Sequence, residues 1–341
     1  MINGAFRPWG KLQWLLGSPS LQSKEWFLIG VISTQDRCLS ALRHGKTSFK
    51  LCHAAFLEVV DEPSQFSNLS KIRRDQNRQI CEAETDPVNR ETHVFGIFEP
   101  IRSLKRVVDS WLASGKVGNV ILDVSTLPER FLFPILRWLV SSQAVENLVV
   151  TCMTPERYTH EDLAYDAQDA SHLPTFANDP VQTEKTIKQV IVGVGFLPFS
   201  LPDWLKKTYS NPRSRISLIF PFPSNPDNVR KGWEFVRRVD ANVSLNDDRQ
   251  ISRVAAYDVS GCFDRINLIT SHGRSSAVYA PFGPKAHSVA MCLQALRTGA
   301  EAYFAHPSYY HPEYSTGIRL SNNLPDGNAY AIKLSGNNLY A

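Results

Sequence analysis

The sequence predicts an α/β fold with Rossmann-like parallel sheets and helical crossovers, arranged as two duplicated halves, with a single large doubly wound sheet as the alternative. Three observations carry this reading. Apolar strand-like runs alternate with stretches of helical periodicity along the chain, a pattern that builds parallel sheets with helical crossovers. The alternation stops in a polar stretch near 161–186 and then begins again. Sliding the halves until Pro128 meets Pro284 lays VILDVSTLPERFLFPILRWLV over SAVYAPFGPKAHSVAMCLQAL, a strand, a proline-containing turn and a helix in both. The expected organisation is therefore a first Rossmann-like half over 1–160, a connection over 161–186, and a second half over 187–341 with an aromatic C-terminal segment.

In the first half, WFLIGVIST (26–34) leads into DRCLSALRHG, and FKLCHAAFLEVV (49–60) is a second apolar run. HVFGIF (93–98) precedes the amphipathic IRSLKRVVDSWLASG, NVILDVS precedes FLFPILRWLV, and ENLVVTCM (146–153) closes the series. The connection has weak periodicity and two prolines, and reads as having little regular structure. In the second half, KQVIVGVGF (188–196) precedes LPDWLKKTY, and RISLIFPF (215–222) precedes NPDNVRKGWEFVRRV. RVAAYDVS (253–260), the run 276–299 and AEAYFAHPSYY complete it.

Composition bounds the function. The chain has 341 residues, is 43% hydrophobic and 21% charged, and carries a formal net charge of +4, the profile of a folded globular protein. No apolar run reaches the ~18 residues needed to span a bilayer, and the first residues do not read as a signal peptide, so the expectation is a cytoplasmic protein with no membrane partner. Six scattered cysteines include no CxxC pair, which points to neither a zinc site nor a disulfide framework. Two basic runs, 71–78 and 230–238, read first as solvated faces. In the second, Arg230, Lys231, Arg237 and Arg238 surround Trp233, Phe235 and Val236, so nucleic acid is a partner not favoured.

The candidate site residues stand where strands should end, since open α/β sheets bind ligands beyond the carboxyl ends of their strands. Asp123, Ser125 and Thr126 offer a carboxylate and two hydroxyls to ribose or phosphate oxygens, and Arg130 lies one helical turn on. The structural alternative makes the hydroxyls helix caps and Asp123 a loop staple. In the second half Gly283 permits close backbone approach, Pro284 starts a helix, and Lys285 and His287 fall in its first turn. A lysine there opposes the helix dipole, a conflict that a bound phosphate removes. Gly195, in the GVGF fragment (193–196), belongs to a Gly-rich turn without the full GxGxxG pattern, and no P-loop motif occurs. HPSYYHPEYS (306–315) brings Tyr309 and Tyr310 to stack on bases or bond phosphates. Its structural alternative is an ordered loop packed over a sheet end.

At DVSTLPERF and FGPKAHSVAMCL the chain resembles the CARF domains, Rossmann-like domains that sense ligands in CRISPR immunity. On that resemblance Asp123 and Thr126 correspond to the acidic and hydroxyl members of the family's ligand turn, and Gly283 and Lys285 to its Gly-Lys pair. Neither half keeps an intact Gly-Gly-Thr-Lys run. The resemblance implies a nucleotide ligand held between two domains, a role in antiviral defence, and an effector activity on a separate protein partner. The leading expectation is thus a sensor or subunit binding a nucleotide or other phosphorylated small molecule, with no cofactor assigned. Two alternatives stay open: an enzyme using His287, His306 or His311 for acid-base work, and a scaffold holding nucleic acid or protein.

Overall fold

The computed structural model describes residues 6–159, 161–177, 189–208, 215–222, 226–239, 251–321 and 323–341. It divides into two compact units, the first comprising Met1–Asp166 with Pro307–Leu339 and the second Ala167–His306. Part of the expected connection, 178–186, lies outside the described residues.

The first unit opens with β1 (Trp9–Lys11) and α1 (Leu12–Leu16), then β2 (Glu25–Ile32), α2 (Ser40–Ser48), β3 (Lys50–Val60), α3 (Ser67–Glu84) and β4 (Arg90–Gly96). It continues through α4 (Ile101–Ala113), β5 (Asn119–Asp123), α5 (Glu129–Ser141), β6 (Asn147–Met153), and the short β7 (Arg157–Tyr158) and β8 (Ala164–Ala167). Neighbouring strands β4, β3, β2, β5 and β6 are all parallel in that spatial order. Successive residues on a strand point to opposite faces, so one strand can feed two cores. Leu28 joins Leu12, Leu16, Leu42, Ile121 and Val149 in a cluster under α1 and α2. Its neighbour Phe27 instead meets Trp111 of α4, and Phe95 meets Phe131 of α5.

The second unit runs β9 (Ser171–His172), β10 (Gln189–Gly193), α6 (Leu201–Thr208), β11 (Arg215–Pro221), α7 (Pro226–Val239) and β12 (Ile251–Val254). α8 (Val259–Ile269), β13 (Ala277–Pro281), α9 (Lys285–Thr298) and β14 (Glu301–Phe304) follow. Its parallel strands stand in the order β12, β11, β10, β13, β14. Numbered within each unit, both sheets therefore read third, second, first, fourth, fifth. Each adds an antiparallel strand beside the fifth: Gly327–Leu334 against β6, and β9 against β14. The two prolines aligned in the sequence occupy one structural position. Pro128 is the N-cap of α5 and Pro284 the N-cap of α9, each following the fourth parallel strand, with φ, ψ of −61°, 148° and −59°, 154°. Proline's fixed φ suits the start of each helix.

Four expectations change. The segment 307–339 belongs to the first unit, not to a second half ending at 341. The reason is the outer edge of β6, whose backbone groups are satisfied by Gly327–Leu334, itself bordered by β1. The connection is also more ordered than expected where described, since it contributes β8 and β9. The strand expected over 253–260 ends at Val254, because the Asp258 side chain accepts from Gly261 N at 2.7 Å and caps α8. Finally, the basic run 71–78 lies on α3, whose underside is polar.

In α3 the buried residues are Ser70, Arg74, Asn77 and Cys81. Asn77 donates to the Ser33 carbonyl at 2.8 Å, and Arg78 reaches both oxygens of the buried Glu58 at 2.6 Å, with Arg74 3.6 Å from the same carboxylate. Leu69, Ile72 and Ile80 face outward. Removing one partner of a buried ion pair strands the other charge and costs about 3–5 kcal/mol. Glu58→Ala is therefore expected to lower the first unit's unfolding free energy by about that amount, measured by denaturant titration, whereas Asp75→Ala on the exposed side of the same network changes it by about 0.5 kcal/mol or less.

Candidate functional site

The carboxyl ends of the two sheets are finished differently. In the first unit Asp123 and Ser125 face inward, with the Asp123 carboxylate accepting from the Ser125 amide at 3.0 Å and from the Ser125 hydroxyl. The hydroxyl also accepts from the Met153 amide at 2.8 Å, so it ties the end of β5 to the end of β6. Neither Ser125 nor Thr126 caps α5, whose N-cap is Pro128 with no side-chain bond. Arg37 reinforces the junction, donating to the Met153 carbonyl at 3.1 Å while its charge favours the Asp123 anion. Arg130 turns to the loop after β4, with Phe98 and Glu99 carbonyls at 3.4 and 3.3 Å.

The aromatic segment closes over this end of the sheet. Glu62 N donates to the Ser308 carbonyl at 3.0 Å, Tyr310 N approaches the Asp61 carboxylate at 3.4 Å, Ser315 donates to Gln35 at 2.7 Å, and Gly317 N donates to Asp36 at 2.9 Å. These acceptors and donors all follow β2 or β3. Tyr309 stacks on Tyr165 at 5.3 Å, and Phe66 packs on His311 at 4.9 Å. The Tyr310 phenol is pushed well above its ordinary value by burial. His311 accepts from Glu313 N at Nδ1, 3.0 Å away, which leaves Nε2 to donate to Glu161 at 2.9 Å. The segment is the ordered cover that the structural alternative describes, on the first unit's sheet.

In the second unit the turns after β10 and β13 cross at close range. The two strands are adjacent and in register, Gly193 beside Pro281. A Cβ at Gly195 would stand 1.8 Å from the Phe282 carbonyl oxygen, and one at Gly283 would stand 3.3 Å from the Val194 carbonyl oxygen. Any side chain at 195 would force the turns apart, which accounts for glycine there. Lys285, half-buried, is the first residue of α9. Lys231 of α7 lies 5.7 Å from the ring centre of Phe196, in the loop after β10. The reading of 230–238 as a solvated face missed this residue. The signal was available, since a helix that follows a parallel strand begins at the sheet's carboxyl edge. The rest of α7 has the expected amphipathic form, with Phe235 and Val236 buried and Arg237 and Arg238 exposed.

His287 leaves the candidate set. It is fully buried, its Nε2 lies 3.0 Å from the Ala255 carbonyl, and burial lowers its pKa to about 4, so it is neutral at physiological pH and braces the loop after β12. The Cys262 thiol, pushed up by burial, is the reverse of an activated nucleophile. Among the described residues no group of three or more His, Cys, Asp or Glu side chains is placed to hold a metal ion, and no helix is long and apolar enough to cross a membrane.

Fold and site together define an α/β protein of two Rossmann-like units with a glycine-turn junction in the second. No family model matches the chain, and no curated protein matches it. Solved structures do match. One is described as a universal stress protein from Pseudomonas aeruginosa UCBPP-PA14, 11% identical, with 84% of this chain and 95% of that chain covered and a TM-score of 0.23. Another is the cytoplasmic domain of a prokaryotic cation chloride cotransporter, 10% identical, covering 86% and 98%, with a TM-score of 0.24. Likeness at this level carries nothing about what this chain binds.

The first unit's junction has a pH signature. Burial raises the Asp123 carboxyl from 3.8 to about 6, against the Ser125 bonds and the Arg37 charge that lower it. Asp61 is likewise raised to about 6 by burial. A carboxyl raised in the folded state stabilises below its unfolded pKa, and that stability is lost as pH rises through about 6. The melting temperature is therefore expected to fall as pH rises from 4 to 7, as far as these two groups set it, and Asp123→Asn to flatten the dependence. Ser125→Ala, which deprives both the Met153 amide and the Asp123 carboxylate of a partner, is expected to cost about 1–3 kcal/mol at neutral pH. Thermal unfolding across that pH range reads both.

Proposed function

We propose that the second unit binds a phosphorylated small molecule, a nucleotide in the first instance, at the junction of the turns after β10 and β13. The observation that supports this is the contact between Gly195 and the Phe282 carbonyl, which leaves two backbone turns and the start of α9 together at the edge of the two central strands. In a doubly wound sheet the crossovers leave these two strands toward opposite faces, and the space beyond them is where such sheets take ligands. Unsatisfied amides at a helix N-terminus favour an anion, and Lys285 and Lys231 add positive charge on two sides.

In this reading the first unit is a support whose corresponding end is occupied by its own chain, and Asp123, Ser125, Tyr309 and Tyr310 serve structure. Thr126 and Arg130 carry no role in it. The chain acts as a sensor or subunit, with any effector activity on a partner chain, which keeps the CARF-like expectation in its general form.

Mass spectrometry of small molecules released on denaturation, followed by calorimetric titration with ATP, ADP, AMP and cyclic oligoadenylates, tests the reading. Lys285→Ala removes a charge-assisted contact of roughly 1.5–3 kcal/mol and is expected to weaken the tightest of these ligands by about ten- to a hundredfold. Unchanged affinity in that variant, or no binding by the wild type, rejects the site.

A further inference from the structure

The outward face of α3 carries three uncovered apolar side chains among exposed polar ones. Leu69 is 41% exposed, Ile72 54% and Ile80 36%, on a helix whose inward face is Ser70, Arg74, Asn77 and Cys81. With the exposed Gln76 and Ala83 they form a stripe at three- and four-residue steps, 69, 72, 76, 80 and 83, the spacing that keeps residues on one side of a helix. Beside it, Val94 is 61% exposed on the edge strand β4. Val94 lies next to Glu58 in register, so it flanks the helix whose Arg78 holds that glutamate.

Two features of the stripe specify what covers it. The first is symmetry: about Gln76 the positions mirror one another, Ile72 with Ile80 and Leu69 with Ala83. A stripe of this kind is complementary to itself run in the opposite direction, and a surface that matches its own copy is the requirement of a two-fold interface. The second is charge. Lys71 stands near the start of α3, and Glu82 and Asp86 at and beyond its end, while Arg73 and Glu84 are already paired within the chain, with Glu313 and Arg43; the first turn has no acidic residue and the last no basic one. This order opposes the helix dipole at both ends. An antiparallel copy reverses it, setting the acidic end of one helix against the basic end of the other and aligning the two dipoles head to tail. Lys71 then comes level with the turn that carries Glu82 of the second copy.

We propose that α3 is the two-fold contact of a homodimer, packed antiparallel about Gln76 with Ile72 of each copy against Ile80 of the other. An unrelated partner would need neither the mirror pattern nor the reversed charge. Parallel packing would set like charges together at both ends.

Sedimentation velocity on the full chain, from about 1 to 100 µM, tests this. The expected result is a concentration-dependent shift from the 38.4 kDa monomer to a dimer. Ile72→Asp, on an exposed side chain, is expected to weaken the dimer about a hundredfold or more, with no change of melting temperature at concentrations where the wild type is monomeric. The double variant Ile72→Asp with Ile80→Lys sets opposite charges at both meeting points and restores the dimer, and Gln76→Cys, on the two-fold axis, crosslinks it under mild oxidation. A wild type that stays monomeric through this range overturns the interface. So does a dimer indifferent to Ile72→Asp, and a double variant as weak as the single one overturns the antiparallel register.

Discussion

Two adjacent parallel strands whose crossovers depart to opposite faces leave a gap beyond their carboxyl ends, and everything else in both units is arranged around that gap. The spatial order third, second, first, fourth, fifth creates it once per sheet, between β2 and β5 and between β10 and β13. The first unit closes this edge with side chains and with the backbone of 308–317. Ser125 ties β5 to β6, Arg37 sits on the Met153 carbonyl, and Ser308, Tyr310 and Ser315 bond the loops after β2 and β3. The second unit narrows the gap with main chain, because Gly195 lets one turn pass against the Phe282 carbonyl of the other. One topology thus supplies a braced end and an end where two backbone turns meet.

The alternation of strands and helices was legible because β2, β3, β5, β6 and β10 are nearly all apolar, as strands covered on both faces must be. The correspondence of Pro128 and Pro284 was legible because proline at a helix start is a local preference that tertiary structure did not override. α3 was not legible as a helix packed on the sheet. Its inward residues are Ser70, Arg74 and Asn77, so a search for apolar periodicity finds the wrong face. The strand Gly327–Leu334 was hidden for another reason, since only its pairing with β6, far away in sequence, makes it part of the first sheet. At the site, spacing alone placed Lys285 and Gly195 correctly at strand ends. It could not show that Asp123 and His287 turn inward, because that depends on the Ser125 hydroxyl, itself tied to Met153 of another strand, and on the Ala255 carbonyl of a distant loop.

The two most buried acidic clusters of the first unit are answered by basic or polar groups. Glu58 meets two guanidinium groups, and Asp123 has Ser125, Thr151 and Arg37 around it. Such clusters gain little over apolar packing of the same volume, but they tolerate few alternative arrangements. They set α3 at one rotation about its axis, because Arg74, Asn77 and Arg78 all have fixed partners beneath them. An apolar underside could slide or roll with smaller loss. The orientation of the helix's outer face is therefore determined by what lies under it.

The strand Gly327–Leu334 sits between β1 and β6, so residues from both ends of the chain share one sheet while the second unit is made between them. During synthesis β6 emerges long before the strand that borders it. At about 5–20 residues per second the delay is roughly 10–35 s, far longer than a single domain of this kind takes to collapse. Throughout that interval the nascent sheet ends in an open parallel edge, the surface that recruits strands from other chains. The sheet of the second unit, which lies wholly within 167–306, can be completed during the wait. The order of birth is thus the reverse of the order of completion, and the first unit's vulnerability to misassembly is set by how quickly the ribosome delivers the strand Gly327–Leu334.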